Sequence, residues 1–290
     1  VFRTLILAAL SVAAWPCSGR AAPRIVAAER AYADIAAQVA GPDAPVTALL
    51  TNPTLDPHEF EPTPSVARKL ADATITIANG LGYDSWMDRL QAATPPGSVH
   101  LVVGDLLHRQ AGENPHLWYD PAAMPALVDA LAHALSSADP AHAIGYASRA
   151  RSVQASLTAL CDRVAVLRRL TLHLPVGATE PVFGPMEAAL GMNDRFGRFE
   201  LAQMNGTEPR ASDVAALQDN LRSRRLRMLF MNAQSTGPGP TQLVAIARSA
   251  HVPVVAVAEN LPQGQSYQAW IGATLDAVAS ALDYATEAAK

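Results

Sequence analysis

Two segments of this 290-residue chain repeat one short pattern around a histidine. His58 lies in Asp56-Pro57-His58-Glu59-Phe60-Glu61-Pro62. His116 lies in Asn114-Pro115-His116-Leu117-Trp118-Tyr119-Asp120-Pro121. Each follows a short acid or amide and a proline, with an aromatic residue two positions on and a further proline beyond. The composition would produce roughly 0.05 such Asp/Asn-Pro-His triplets by chance, so a pair is a signal. Proline fixes its own φ and drives the residue before it toward extended conformations. A histidine on so stiff a loop is presented in one orientation, as a metal ligand must be. The chemistry suggested is capture of a metal cation by neutral imidazole.

The other six of the eight histidines carry less. His133 and His142 fall on or beside helical stretches, and His173 and His251 precede apolar runs. Surface or capping roles suit them. His100 and His108 flank the loop that leads to His116, where solvent exposure is the expectation. Two histidines do not close a site, so partners are sought at strand ends in the second half of the chain. Glu180 follows the apolar run 175–178, and Glu259 follows the run 252–257. Taken alone, each is more often a helix-start acid or a solvated side chain.

The elements that would position these residues follow from hydrophobic patterning. Apolar runs at 25–28, 46–50, 74–78 and 100–103 read as strands. Helical stretches fall between them at 31–39, 65–71 and 84–92. Asp120-Pro121 reads as a cap with a proline at the first helical position, opening a helix toward Ser136. From about 141 to 170 there is no proline and only Gly145. Tyr146, Ala150, Val153, Leu157, Leu160, Val164 and Leu167 form one narrow apolar stripe there. About 30 residues at about 1.5 Å each span about 45 Å, the length of two lobes. The alternation then restarts, with strands at 175–178, 228–231 and 252–257 and helices at 185–190, 212–222, 242–250 and 268–285. Ser212 is the expected cap of the second of these helices.

Strands alternating with helices imply parallel sheets. The expected fold is therefore α/β, with two lobes of parallel sheet joined by one long rigid helix. Ligands of such sheets sit at the carboxyl ends of strands, so the cleft between the lobes is the expected site. The division reads 22–138 for the first lobe, 139–172 for the linking helix and 173–290 for the second lobe.

Residues 1–21 are set apart. Arg3 precedes an apolar run of about 11 residues, well short of the about 20 that span a bilayer, and small residues surround Arg20. These are the parts of a secretory signal peptide, with cleavage expected after Ala21. Cys17 offers a lipid anchor instead, but Trp15 and Pro16 are large and stiff for the residues before a lipidated cysteine. The remaining chain is expected to be exported. A pI near 6.1 and the lack of an Arg cluster argue against nucleic acid as a partner. No CxxC is present, so thiolate zinc sites and thioredoxin-like redox chemistry are excluded.

The stretch DPHEFEPTPSVARKLADATITIANGLGYDSWMDRL at 56–90 resembles the periplasmic metal-binding proteins of zinc and manganese ABC importers, the cluster A-I class. The resemblance continues through NPHLWYDP at 114–121, TEPVFGPMEAALGM at 179–192, NGTEPRASDV at 205–214 and VPVVAVAENLPQGQSYQAW at 252–270. It implies one divalent cation buried between two lobes, with His58, His116, Glu180 and Glu259 at the ligand positions. It implies cargo of Zn2+ or Mn2+, with Fe2+ also compatible. It further implies delivery to an ABC permease and its ATPase in the inner membrane, from a periplasmic protein expected to act as a monomer. Three departures stand out. The third ligand is a carboxylate, as in manganese-type members. Glu259 stands where Asp is usual, which leaves Asn232, Gln234 and Glu208 as substitutes. The His-rich loop of many zinc members is missing before His116.

Two imidazoles and two carboxylates balance a doubly charged ion and make a borderline site. Four monodentate protein ligands leave no open position, which suits holding rather than hydrolysis. A secreted zinc-dependent hydrolase, the rival reading, would need an open position and a base such as a HExxH helix; none is present. A third reading is an exported metal-binding adhesin or chaperone not coupled to transport.

Overall fold

The computed structural model describes residues 21–52, 60–235 and 237–287, and side chains as far as 284. Residues 1–20 of the expected signal segment, and His58, lie outside the described residues.

The first lobe is built on four parallel strands, β1 (Ile25–Ala27), β2 (Val46–Ala48), β3 (Ile75–Ala78) and β4 (Val99–Val102), in the order β2-β1-β3-β4. Helices α1 (Arg30–Ala40), α2 (Pro64–Leu70), α3 (Ser85–Gln91), α4 (Val103–Leu106) and α5 (Ala123–Ala138) connect and cover them. The central strands β1 and β3 are buried along their whole length, as near-continuous apolar runs require of a parallel sheet. α5 starts at Ala123, beyond the expected Asp120 cap. Asp120 instead accepts the Ala122 amide at 2.9 Å, which shapes the turn before the helix. The apolar face of α5 is the expected one: Met124, Leu127, Val128, Leu131 and Leu135 are all buried.

α6 (Ala143–Thr171) is a single helix of 29 residues. Gly145 does not break it, because it falls in the first turn. Its stripe of Tyr146, Ala150, Val153, Leu157, Val164 and Leu167 is buried. The N-terminal half is fastened to the first lobe. There Arg149 donates to the Val39 and Ala40 carbonyls at 2.9 Å and to Asp43 at 2.6 Å. Gly41 makes room for this: it ends α1 at φ +57°, and a Cβ there would meet Arg149 at 2.7 Å. The C-terminal half is fastened to the second lobe, where the Thr171 hydroxyl donates to the Leu190 carbonyl at 2.7 Å.

The second lobe repeats the architecture. Its strands β5 (Pro175–Ala178), β6 (Asn193–Asp194), β7 (Met228–Asn232) and β8 (Val254–Val257) are parallel and ordered β6-β5-β7-β8. Its helices are α7 (Gly184–Ala189), α8 (Gly197–Met204), α9 (Ala211–Arg222), α10 (Pro238–Ser249) and α11 (Tyr267–Glu287). β6 and α8 were not expected from the sequence. α9 begins at Ala211 with Arg210 as its cap, so Ser212 lies inside the first turn. One apolar cluster runs from Ile25 and Tyr32 in the first lobe to Phe230 and Leu275 in the second. No helix among the described residues is long and apolar enough to cross a membrane.

Both sheets change direction of winding beside their first strand. The switch points fall between β1 and β3 and between β5 and β7, where the carboxyl ends of open parallel sheets bind ligands. Hydrogen bonds join the lobes there. The Tyr119 hydroxyl donates to the Ala258 carbonyl at 2.9 Å, and the Tyr267 hydroxyl donates to the Trp118 carbonyl at 2.7 Å. Burial pushes both phenols above their ordinary pKa, so they stay donors.

Candidate metal site

His116 sits on the stiff turn between β4 and α5 and is fully buried. Asn114, two residues before it, holds it twice. The Asn114 Oδ1 accepts the His116 backbone N–H at 3.0 Å and lies 2.7 Å from its Nδ1. A carbonyl oxygen can only accept, so Nδ1 carries the proton. The lone pair then lies on Nε2, the arrangement metal-binding imidazoles need. The other end of Asn114 crosses the cleft: its Nδ2 donates to the Pro181 carbonyl at 2.6 Å. The ring packs edge-on against Trp118 with centroids 5.4 Å apart.

Facing it is Glu259, just beyond β8 and only 3% exposed. Its Oε2 lies 4.0 Å from His116 Nε2. Two donors on one small cation lie about 3–3.5 Å apart, so the gap is within a small adjustment of shared coordination. Tyr83, from the loop after β3, donates its hydroxyl to the same Oε2 at 3.0 Å. Glu180 follows β5 in extended conformation and is half-buried.

Asn232, the last residue of β7, joins the two carboxylates. Its Nδ2 donates to Glu180 Oε2 at 2.7 Å and to Glu259 Oε1 at 2.8 Å. Two negative groups in so dry a site would repel one another, and the two N–H bonds of one amide offset that. Asn232 was a candidate substitute ligand on sequence; here it presents its amide nitrogen to the acids and acts as their clamp. Gln234, another candidate, accepts the Glu259 backbone N–H at 3.1 Å through Oε1. Glu208 lines a separate cavity with Phe199 and Thr207.

The structure thus brings together His116, Glu180 and Glu259. His58 falls on residues 53–59, outside the described ones; the flanking chain leaves β2 at its carboxyl end and re-enters at α2. Among the described residues no group of three His, Cys, Asp or Glu is by itself arranged to hold a metal ion. Tyr83 was not singled out from sequence, since nothing in its surroundings there marks an aromatic hydroxyl aimed across a cleft.

Of the remaining histidines, His133 is an exposed residue of α5. His108, His173 and His251 all adopt left-handed φ, between 54° and 62°, next to helix ends. His142 bonds Asp139 at 2.6 Å, and His100 bonds Thr76 at 2.7 Å.

Two substitutions test how the site is held. A Cβ on Gly184, the first residue of α7, would meet Asn114 Nδ2 at 2.6 Å. Gly184→Ala is therefore expected to displace the residue that orients His116. It should weaken metal binding about tenfold, as for the loss of an outer partner of a metal ligand, with the circular dichroism spectrum retained. Asn232→Ala removes the clamp. In the metal-free protein it should cost about 1–3 kcal/mol, because buried carboxylates lose their donors. Metal would take over the neutralisation, so the gap in melting temperature from wild type should narrow on loading. A variant equally destabilised with and without metal would count against this role.

Residues 25–281 match the family described as zinc-uptake complex component A, periplasmic. The manganese-binding lipoprotein MntA of Halalkalibacterium halodurans is 29% identical over 133 residues, which cover 44% of each chain. The iron-binding protein YfeA of Yersinia pestis is 28% identical over 134 residues, covering 44% of this chain and 43% of that one. The matched stretches thus span less than half the length of these two relatives. Among solved structures, the periplasmic zinc-binding protein TroA of Treponema pallidum superposes with a TM-score of 0.75 at 18% identity, over 90% of this chain and 99% of that chain. That likeness speaks to the fold: two lobes of parallel sheet with a long helix behind them.

Proposed function

The chain belongs to the family of zinc-uptake complex component A, and from that premise we propose that it is the periplasmic substrate-binding component of an ABC importer. It captures one divalent transition metal between its lobes and delivers it to the membrane permease and its ATPase. His58, His116, Glu180 and Glu259 are the proposed ligands. The division into a signal segment 1–21, a first lobe 22–138, a linking helix 139–172 and a second lobe 173–290 is part of the same reading. The protein is exported, acts as a monomer and catalyses no reaction.

The observation that carries this reading is the pairing of His116 with Glu259 across the cleft, 4.0 Å apart and both shut off from solvent. The imidazole is already in the tautomer that offers Nε2, and the acids are held by donors that a cation would replace. A pair so fully buried favours retention over hydrolysis. Zinc, manganese and ferrous iron all suit two imidazoles and two carboxylates, and geometry and supply select between them more than affinity does. The similar proteins are named for the same three metals. α6 is fastened to both lobes, so release proceeds by modest rearrangement of the lobes on docking rather than by wide hinge opening.

The test is metal-limited growth of the source cell. Deleting this chain should impair growth in chelated medium, with rescue by added zinc or manganese and by the wild-type chain, but not by a His116→Ala chain. Unimpaired growth together with unimpaired uptake of labelled zinc, manganese and iron would sink the transport reading. Elemental analysis of the protein purified from the periplasm identifies the cargo.

A further inference from the structure

Beside the cleft, and separate from the candidate metal ligands, a cavity of about 490 Å³ opens between the lobes. Three acids of the second lobe wall it: Glu187 on α7, Asp194 on β6 and Glu200 on α8. Asp194 and Glu200 share a side-chain hydrogen bond. Glu200 Oε1 accepts the Ala178 amide at 2.9 Å, and Asp194 Oδ1 accepts the Phe196 amide at 2.9 Å. Glu187 is only 4% exposed, and its Oε1 has no hydrogen-bond partner. Burying a carboxyl oxygen without a donor costs stability. The facing wall brings Arg109, but that guanidinium is committed to Asp120 at 2.5 Å and Glu113 at 3.1 Å. Leu117, Met192 and Leu201 supply apolar surface between the charged ends.

We propose that this cavity binds a small organic cation, an alkylammonium or guanidinium group carried on a short apolar stem. Such a group brings N–H donors to the Glu187 carboxylate, while its stem lies on the apolar residues. The volume falls within the about 300–1,000 Å³ of small-molecule sites. A bare metal ion fits less well, because no three acidic or histidine side chains among the described residues are arranged to coordinate one. Burial, with the neighbouring Asp194, pushes the Glu187 carboxyl up to about 8. At neutral pH, binding therefore releases one proton: Glu187 gives its proton to solvent, and its carboxylate pairs with the incoming cation. Asp194, Glu200, Glu113, Asp120 and Arg109 are the other charged groups facing the cavity.

Calorimetric titration of the full chain with butylguanidinium, butylamine and the neutral isostere butylurea tests this. Metal-free and metal-loaded protein are titrated alike, so the result stands apart from the transport reading. Butylguanidinium or butylamine should bind one per chain, at least about tenfold tighter than butylurea. Affinity should rise as pH goes from about 6 to about 8, with a heat that depends on the buffer's own protonation enthalpy. Glu187→Gln should weaken binding at least about tenfold. Asp194→Asn, at a more exposed position, provides the second variant should the first not fold. Equal binding of butylurea, no binding by about 10 mM, or full affinity in a folded variant would overturn the proposal.

Discussion

Replacing His116 with alanine is expected to abolish tight metal binding while leaving both lobes folded. The ring is a side chain on a turn already shaped by Pro115 and the Asn114 bonds, so the turn should survive. Changing outer partners of metal ligands costs about 10–100-fold in affinity, so losing a ligand itself should exceed about 100-fold. The pH dependence has the matching sign. Metal competes with protons for the Nε2 lone pair and for the carboxylates. Affinity should fall as pH drops below about 6, as the imidazoles protonate. In His116→Ala the residual weak binding should lose part of that slope. Competition with a fluorescent chelator reads both effects. A His116→Ala protein that retained wild-type affinity would remove His116 from the ligand set.

Glu187→Gln is expected to stabilise the protein at alkaline pH. Burial and the Asp194 charge raise the folded-state carboxyl from 4.5 to about 8. Between those values the folded protein holds a proton that the unfolded chain has lost, so stability falls as pH rises through that window. Below about pH 4.5 the contribution is complete; above about pH 8 it is gone. A shift of this size corresponds to about 5 kcal/mol for an isolated group. Glu200 and Asp194 are raised as well and relax with it, so about 2 kcal/mol is the expected gain at pH near 9. Urea midpoints at about pH 5 and pH 9 should diverge in the wild type more than in the variant. Identical pH profiles would show that Glu187 is already ionised in the native state.

The parts of this fold that were legible in sequence are those in which local chemistry and burial agree. The His116 loop was readable because proline constrains backbone whatever surrounds it. The α6 stripe was readable because an unbroken run of helix formers carried one apolar face. β6 was not readable: Asn193 and Asp194 are polar, and they are a strand only because they pair with Pro175 and Val176. α8 was missed for a related reason, since it carries Arg198 and Glu200 near its start and Glu200 is nonetheless buried. Charge reads as surface in a sequence, so a buried acid is invisible until its neighbours are known.

The site shows the same division. Glu180 and Glu259 stood out as acids at strand ends, and both reach the cleft. The role of Asn232 was not legible, because an amide can offer either its oxygen to a metal or its nitrogen to carboxylates. Only its neighbours decide, and here they are both acids. Asn114 belonged to the recognised triplet, yet its function of setting the His116 tautomer depends on its bond to Pro181 in the other lobe.

The central claim is one metal held by imidazole and carboxylate ligands in the interlobe cleft, and X-ray absorption spectroscopy of metal-loaded protein tests it most directly. The expected spectrum has one metal per chain, two imidazole nitrogens and carboxylate oxygens at about 2.0–2.2 Å, and no sulfur from Cys161. In His116→Ala one imidazole should disappear from it. A spectrum without imidazole scattering, or one unchanged by that substitution, would contradict the site.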